Sequence, residues 1–347
     1  MIRSILSTVF IVLSIGQTIG ATYYVRKSGN DANNGRSRNQ AFQTISKATS
    51  EAKQGDTVYI GGGTYQESVV WDVQPSGAGY AMLYGDVNGG FTGDRGEVIM
   101  QSPGNAWNLQ IRNGNAVLIN SITFRQPDSS QRGYGIHINN NAAAVYFVNC
   151  KFTDLTYGIY HVNSNMLLAY LCQFDGNQYG IYSSKASDIV AMASSFGANQ
   201  HAIYCRESTS VQAQTCKFSA QHAVSGESVA GNGLYAYRSK VTVTSSTFDQ
   251  ARNGIYGDQT TDVSIQECTF TECSSYGISL KGEGLEVSKC ASMVEAMDVC
   301  STTPQATRVP LRVLTFKGCP QVSMLPEAII NFQTSQSAIV HTESIHT

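Results

Sequence analysis

Charge is what this sequence has least of. Only 14% of its 347 residues are Asp, Glu, Lys or Arg, against about 25% in an average soluble domain. Its 23 basic and 25 acidic residues nearly cancel, for a formal net charge of −2. With no basic excess or stripe, the footprint of a nucleic-acid binder is absent. Disorder is excluded as well, because 42% hydrophobic residues with 10% aromatics can bury a core. Beyond the N-terminus no run of about 18 apolar residues occurs, so nothing later reads as a membrane span. Cysteine is absent before Cys150, no spacing makes a paired C-x-x-C pattern, and His residues do not cluster beside the nine cysteines. Zinc is therefore not indicated.

What is present starts with a leader. Arg3, the apolar run Ile5 to Ile15, and small residues Thr18 and Gly20 before Ala21 match a secretory signal peptide over residues 1–20. An uncleaved anchor is the other reading. With the signal removed, a secreted, extracellular or cell-surface protein without membrane insertion is expected. The odd cysteine count then leaves at least one thiol unpaired or shared between chains.

Internal periodicity governs the rest. Cys150-Lys-Phe152 recurs as Cys172-Gln-Phe174, Ser194-Ser-Phe196, Cys216-Lys-Phe218, Ser246-Thr-Phe248 and Cys268-Thr-Phe270, with Cys290 one period on; the steps are 22, 22, 22, 30, 22 and 22 residues. A second series keeps the same phase: Gly135-Ile136, Gly158-Ile159, Gly180-Ile181, Ala202-Ile203, Gly233-Leu234, Gly254-Ile255 and Gly277-Ile278. Both break at one place, near Ala223 to Ala230, as a loop insertion in a regular stack would require. Within each period apolar residues alternate, as in Val145-x-Phe147 and Val241-x-Val243, which means short strands between turns. One such unit cannot bury its own apolar face, so the units must stack. The expectation is an all-β, single-stranded parallel β-helix of about eleven coils.

These motifs resemble those of the right-handed parallel β-helix proteins of the pectate-lyase-like superfamily. The opening Ala21 to Gly35, Ala41 to Ala48 and Gly55 to Ile60 is similar to that of many secreted members, and the likeness runs from about Thr22 to Phe316. It implies the fold and its right-handedness. It does not imply one activity, because the superfamily holds lyases, hydrolases, epimerases and non-enzymatic proteins. Four segments are expected: the leader, an N-terminal strand and capping helix (21–57), the β-helix (58–300), and a C-terminal cap and tail (301–347). Phe42, Ile45, Ala48 and Ala52 have the helical spacing, and Gly55 stands where that helix would end.

Alternation also assigns faces. In Gly-Ile-Tyr the Ile points inward, so one outward column reads His137, Tyr160, Tyr182, Tyr204, Tyr235, Tyr256, Ser279. The next reads Asn139, Val162, Ser184, Arg206, Tyr237, Asp258, Lys281. The five tyrosines form a stripe about 20 Å long. Tyr160, Tyr182, Tyr204, Tyr235 and Tyr256, with Asp258, are candidate binding residues for a polysaccharide, since tyrosine offers both a flat apolar face and a hydroxyl. The alternative is that like residues simply stack well in a parallel sheet. In a polyuronate lyase, Arg206 would neutralise the substrate carboxylate, Lys281 would take the C5 proton, and Tyr237 or Tyr235 would protonate the leaving oxygen. Against that catalytic set stands a plain Asp258–Lys281 surface salt bridge.

Hydrolysis is disfavoured. Polygalacturonase-like relatives would place Asp before Gly-Ile and use Asp-Asp and Gly-His-Gly; here that place holds Tyr134, Tyr157, Tyr179, His201, Asn232, Asn253 and Tyr276, and neither motif occurs. The two carboxylates of a glycosidase are not evident. No cofactor is indicated: the Asp31 to Gly35 stretch resembles part of a calcium loop but lacks its closing Glu, and a turn is the simpler reading. Gly61-Gly-Gly63 lacks the Lys of a phosphate loop. His161 and His201 are candidates for the tyrosine side; the alternative is an ordinary packed or surface histidine, and spacing alone assembles no Ser-His-Asp grouping. Cys150/Cys172 and Cys268/Cys290 fall on adjacent coils within disulfide reach, or form a reduced ladder. The functional expectation is a secreted β-helix that binds an extracellular polysaccharide, with cleavage by β-elimination as its catalytic form. The alternative is a non-catalytic surface, matrix or adhesion protein.

Overall fold

A computed structural model describes residues 20–74, 78–126, 133–139, 144–221, 231–292, 298–301 and 338–339. The expected leader, the insertion near 223–230 and the C-terminal cap and tail fall outside the described residues, apart from Gly20, Ser301 and the pair Ala338–Ile339.

One repeat shows how the sequence makes a coil. Tyr157–Val162, Met166–Tyr170 and Gln173–Asp175 are three short strands with alternating inward residues. Each pairs in parallel with its counterpart one repeat later: Tyr157 with Tyr179, Leu167 with Ile189, Phe174 with Phe196. Repetition builds three parallel sheets. The third has ten strands, and Asn253–Gln266 runs through both of the others, joining them into one of 21. The 30-residue step leaves the register intact, since Tyr204 pairs with Tyr235 and Phe218 with Phe248 across it.

Three corners close each coil. Left-handed residues stand at all of them: Asn163, Lys185, Glu207 and Arg238 after the first strand, Leu171, Ala193 and Thr215 after the second, Asp154, Gly176 and Ala198 after the third, with φ of 47° to 67°. A non-glycine residue there costs about 1–2 kcal/mol. Hydrogen bonds to the next coil offset the cost, as Leu171 N–H donates to the Met192 carbonyl at 3.1 Å and Ala193 N–H to that of Gln214 at 2.9 Å. The residue after the second corner adds a side-chain donor. Cys172 Sγ donates to the carbonyls of Tyr170 and Phe147, and Ser194 Oγ to those of Met192 and Ala169. A short donor is what the site needs, so Cys and Ser interchange. Cys150, Cys172, Cys205, Cys216, Cys268, Cys273 and Cys290 are free and buried. At the third corner Asn177 Nδ2 donates to the Phe152 carbonyl and Asn199 Nδ2 to that of Phe174.

Inside, Phe124, Phe152, Phe174, Phe196, Phe218, Phe248 and Phe270 are fully buried and stack with ring centroids 4.4 to 5.1 Å apart. At the N-terminus the helix α1 (Ile45–Glu51) is shorter than the spacing predicts. Phe42 lies outside it, in an extended bridge with Val25. Asp31 accounts for this: its carboxylate accepts from the backbone N–H of Gln43 and Thr44 and from the Thr44 hydroxyl, holding the chain extended up to the Thr44 cap. Those oxygens serve the turn.

His161 requires a correction. It follows the outward Tyr160 and so turns inward, fully buried between Ile138 and Ser183 of the neighbouring coils. Its Nδ1 lies 3.2 Å from Ser183 Oγ, and its Nε2 has no partner. Burial pushes its pKa down from 6.5 to about 4. The unfolded chain therefore binds this proton first, so stability is full above about pH 6.5 and is lost as pH falls toward 4.

Two measurements follow. Urea unfolding should show Phe196→Ala destabilised by about 3–5 kcal/mol; a loss under 1 kcal/mol would contradict the ladder's role. Between pH 7 and 4.5 the wild type should lose about 2–3 kcal/mol to this histidine. His161→Gln should flatten that dependence, and an unchanged pH slope would mean that His161 is not the titrating group.

Candidate functional site

The first sheet carries the aromatic residues. Its register places His137, Tyr160, Tyr182, Tyr204, Tyr235, Tyr256 and Ser279 in one column, as alternation predicts. The five tyrosines are half-buried, whereas Ser279 is buried. Their rings are nearly parallel, with centroid separations of 5.1, 5.3, 4.3 and 5.5 Å from Tyr160 to Tyr256. Parallel rings at these separations turn their faces toward one another along the column.

A second aromatic column lies beside the first. Trp107, Tyr134, Tyr157, Tyr179 and His201 are in register. Tyr157 stacks on Tyr179 at 5.2 Å, and Tyr179 on His201 at 5.3 Å. The columns meet edge to face: Tyr179 contacts Tyr182 and Tyr204 at 5.5 Å each, with planes 84° and 82° apart. Alternation does not find this column, because Tyr157 and Tyr160 are three residues apart and yet both face outward. Between them Gly158 and Ile159 are both buried. A Cβ on Gly158 would sit 2.5 Å from the Gly180 carbonyl oxygen, so the coils approach closely here and the pleat slips by one residue. His201 belongs to this face, as expected, and takes the Asn232 N–H on Nδ1 at 3.3 Å.

Three phenols of this face are shifted above the ordinary tyrosine value. Burial, and then the neighbouring tyrosines, push Tyr157 and Tyr235 up to about 12. Burial also raises Tyr182. The face offers rows of hydroxyls repeated about every 5 Å on an apolar bed. Such a surface matches a repeating ligand that is amphipathic on the scale of a sugar ring.

The residues considered for catalysis are placed in order but not together. Arg206, Tyr237, Asp258 and Lys281 follow one another in register on four successive coils. The Arg206 guanidinium lies 5.5 Å from the Tyr237 ring centre, and its Nε 3.7 Å from Glu207. Three coil spacings, about 14 Å, separate Arg206 from Lys281 along the axis. Those two residues therefore do not converge on a single sugar. The expected Asp258–Lys281 salt bridge does not form; a register shift between Asp258 and Thr260 interrupts the ladder there. The ion pairs nearby are Lys240–Asp262 at 2.7 Å and Lys289–Glu267 at 3.3 Å. Arg238, missed by alternation because it is a corner residue, has its guanidinium 5.1 Å from the Tyr237 ring. Among the described residues no group of three His, Cys, Asp or Glu side chains is arranged to hold a metal.

Comparison with known proteins bears on the fold. The family described as a right handed beta helix region matches residues 104–240. No curated protein matches the sequence. Among solved structures, ORF18 of Geobacillus virus E2 is 13% identical, with 89% of this chain and 65% of the viral chain covered at a TM-score of 0.50. This chain thus spans 65% of the length of that viral protein. A rhamnogalacturonan lyase is 12% identical over 91% of this chain and 87% of its own, at a TM-score of 0.42. A lacto-N-biosidase from Eubacterium ramulus is 10% identical over 84% and 62%, at 0.43. Register, family match and the viral structure agree, and the chain has the fold of a right-handed parallel β-helix.

Proposed function

We propose that this protein is exported and binds an extracellular polysaccharide along the face formed by Tyr160, Tyr182, Tyr204, Tyr235 and Tyr256. The observation that carries the reading is the unbroken run of in-register, half-buried tyrosines, backed by the second row from Trp107 to His201. Stacking alone accounts for like residues within one column. It does not account for two aromatic columns crowded on the same outward face while the outward positions of the third sheet hold Lys151, Gln173, Ser195, Lys217 and Thr247. The ligand axis runs across the coils, so that successive units of the polymer meet successive hydroxyls. Export rests on the leader at residues 1–20.

Binding without cleavage is the form the geometry favours. β-Elimination needs a neutralising cation, a base and an acid around one uronate. Arg206, Tyr237 and Lys281 are strung along the axis instead.

Affinity electrophoresis through gels containing polysaccharides tests the proposal. At least one polymer should retard the wild type, and Tyr182→Ala/Tyr204→Ala should lose about tenfold or more in affinity, taking two side chains at roughly 1 kcal/mol each. Retention of the double variant at wild-type strength would overturn the reading. On polyuronates no unsaturated product should accumulate; its release by the wild type and not by Lys281→Ala would overturn the non-catalytic form.

A further inference from the structure

Two carboxylates are buried among the described residues, Asp86 at 2% exposure and Asp56 at 8%. Asp86 is satisfied by four neutral donors, the backbone N–H groups of Gly90, Phe91 and Thr92 and the Thr92 hydroxyl, at 2.7 to 2.9 Å. Asp56 has two. Ala21 N–H donates to its Oδ1 at 2.6 Å, and Lys53 N–H to its Oδ2 at 2.9 Å. A carboxylate can accept at about four lone-pair sites, so half the capacity of Asp56 is unused. No ion pair among the described residues includes it. A buried charge is ordinarily paired or fully hydrogen-bonded.

The position of Asp56 says which cation would complete it. Its first donor, Ala21, is the residue at which the chain begins once a leader over residues 1–20 is removed. Hydrolysis of the Gly20–Ala21 peptide bond by an export peptidase consumes one water, whose oxygen leaves with Gly20 as a carboxylate and whose two hydrogens end on the Ala21 nitrogen. One neutral donor becomes an ammonium with three, already 2.6 Å from Asp56 Oδ1. Gly20 crowds the same spot in the uncut chain, where a Cβ would lie 2.3 Å from the Gly55 carbonyl oxygen and 2.6 Å from Asp56 Oδ1. Its departure opens that carbonyl to the new amine.

The other ionisable groups nearby have partners of their own or face solvent. Arg36 donates to the Tyr23 hydroxyl at 3.1 Å, Lys47 pairs with Glu51 at 2.5 Å, and Lys53 is exposed. Ala21 leads into the strand Thr22–Val25, which pairs with the strand that begins directly after Asp56. A bond between Ala21 and Asp56 therefore pins the first strand where Tyr23 and Val25 enter the core.

We infer that Asp56 is a receptor for the α-ammonium of Ala21, so that removal of the leader completes a buried ion pair and locks the first strand onto the β-helix. This rests on the export proposed above and is independent of the polysaccharide face.

The full chain, expressed with its leader in an exporting host, supplies the test: N-terminal sequencing of the product, then thermal unfolding before and after acetylation of the α-amine at pH 6.5, where lysines stay protonated. Sequencing should give Ala21 first. Acetylation removes the terminal charge and should lower Tm by about 2–4 °C at pH 6.5. An α-amine ordinarily loses its proton at about pH 7.7–8.0, and a carboxylate partner raises that value in the folded state. The gap between the two forms should thus be full below about pH 7.7 and close as pH rises past the raised value. In Asp56→Asn, acetylation should leave Tm unchanged; if that variant does not fold, the pH dependence of the gap in the wild type decides. A product that keeps its leader or starts elsewhere would overturn the pairing together with the cleavage it rests on. A product that starts at Ala21 and unfolds at the same temperature in both forms, loses as much on acetylation in Asp56→Asn, or keeps an undiminished gap at high pH would overturn the ion pair alone.

Discussion

Parallel hydrogen bonding of each coil to the next, at a spacing of about 4.8 Å, is the constraint from which the other features follow. It forces equivalent residues into columns, so a phenylalanine inside meets a phenylalanine and a tyrosine outside meets a tyrosine. It also fixes where the chain must turn. At each corner the backbone enters a left-handed conformation that Ala193, Leu171 and Thr215 do not favour by themselves, and the bond to the next coil keeps it there. The buried donors Cys172, Ser194, Asn177 and Asn199 satisfy carbonyls that a turning coil would otherwise leave without partners. Sulfur matters at these sites as a compact donor.

The same constraint explains the low charge. A coil spends its residues on inward apolar side chains and on corners, and few outward positions remain. Some of the charges stand at corners and along one column of the first sheet, as Lys185, Glu207, Arg238, Arg206, Asp258 and Lys281 do. Repetition keeps such residues a coil apart. That favours a ligand held at many repeated points over a reaction that needs three groups at one point, and the separation of Arg206 from Lys281 illustrates it.

The sequence carried most of the fold in readable form, because the 22-residue period survives at Phe152, Phe174, Phe196 and Phe218 and resumes after the insertion at Phe248. The outward tyrosine column was equally legible, since Ile159 and Tyr160 obey alternation. Four things were not. The positions from Tyr134 to Tyr179 were read as equivalent, but their outward facing was missed because Gly158 lets the pleat slip, which no period-2 pattern encodes. His161 was assigned to the wrong side, although the outward assignment of Tyr160 already required it to point in. Arg238 was overlooked because corner residues belong to neither face, and the direction of a side chain there depends on the turn. Helix α1 began late because the Asp31 carboxylate, thirteen residues before Thr44, tethers the approach to it.

The claim that ties these features together is that the stacked tyrosines form one continuous ligand surface. Hydroxyl-radical footprinting with and without a retained polysaccharide reads this directly. Protection should fall together on Tyr160, Tyr182, Tyr204, Tyr235 and Tyr256, while Tyr24 and Tyr84, partners of Tyr59 in the second sheet near the N-terminus, keep their labelling. Unchanged labelling of the five tyrosines at saturating polymer, or protection confined to the second sheet, would contradict the account.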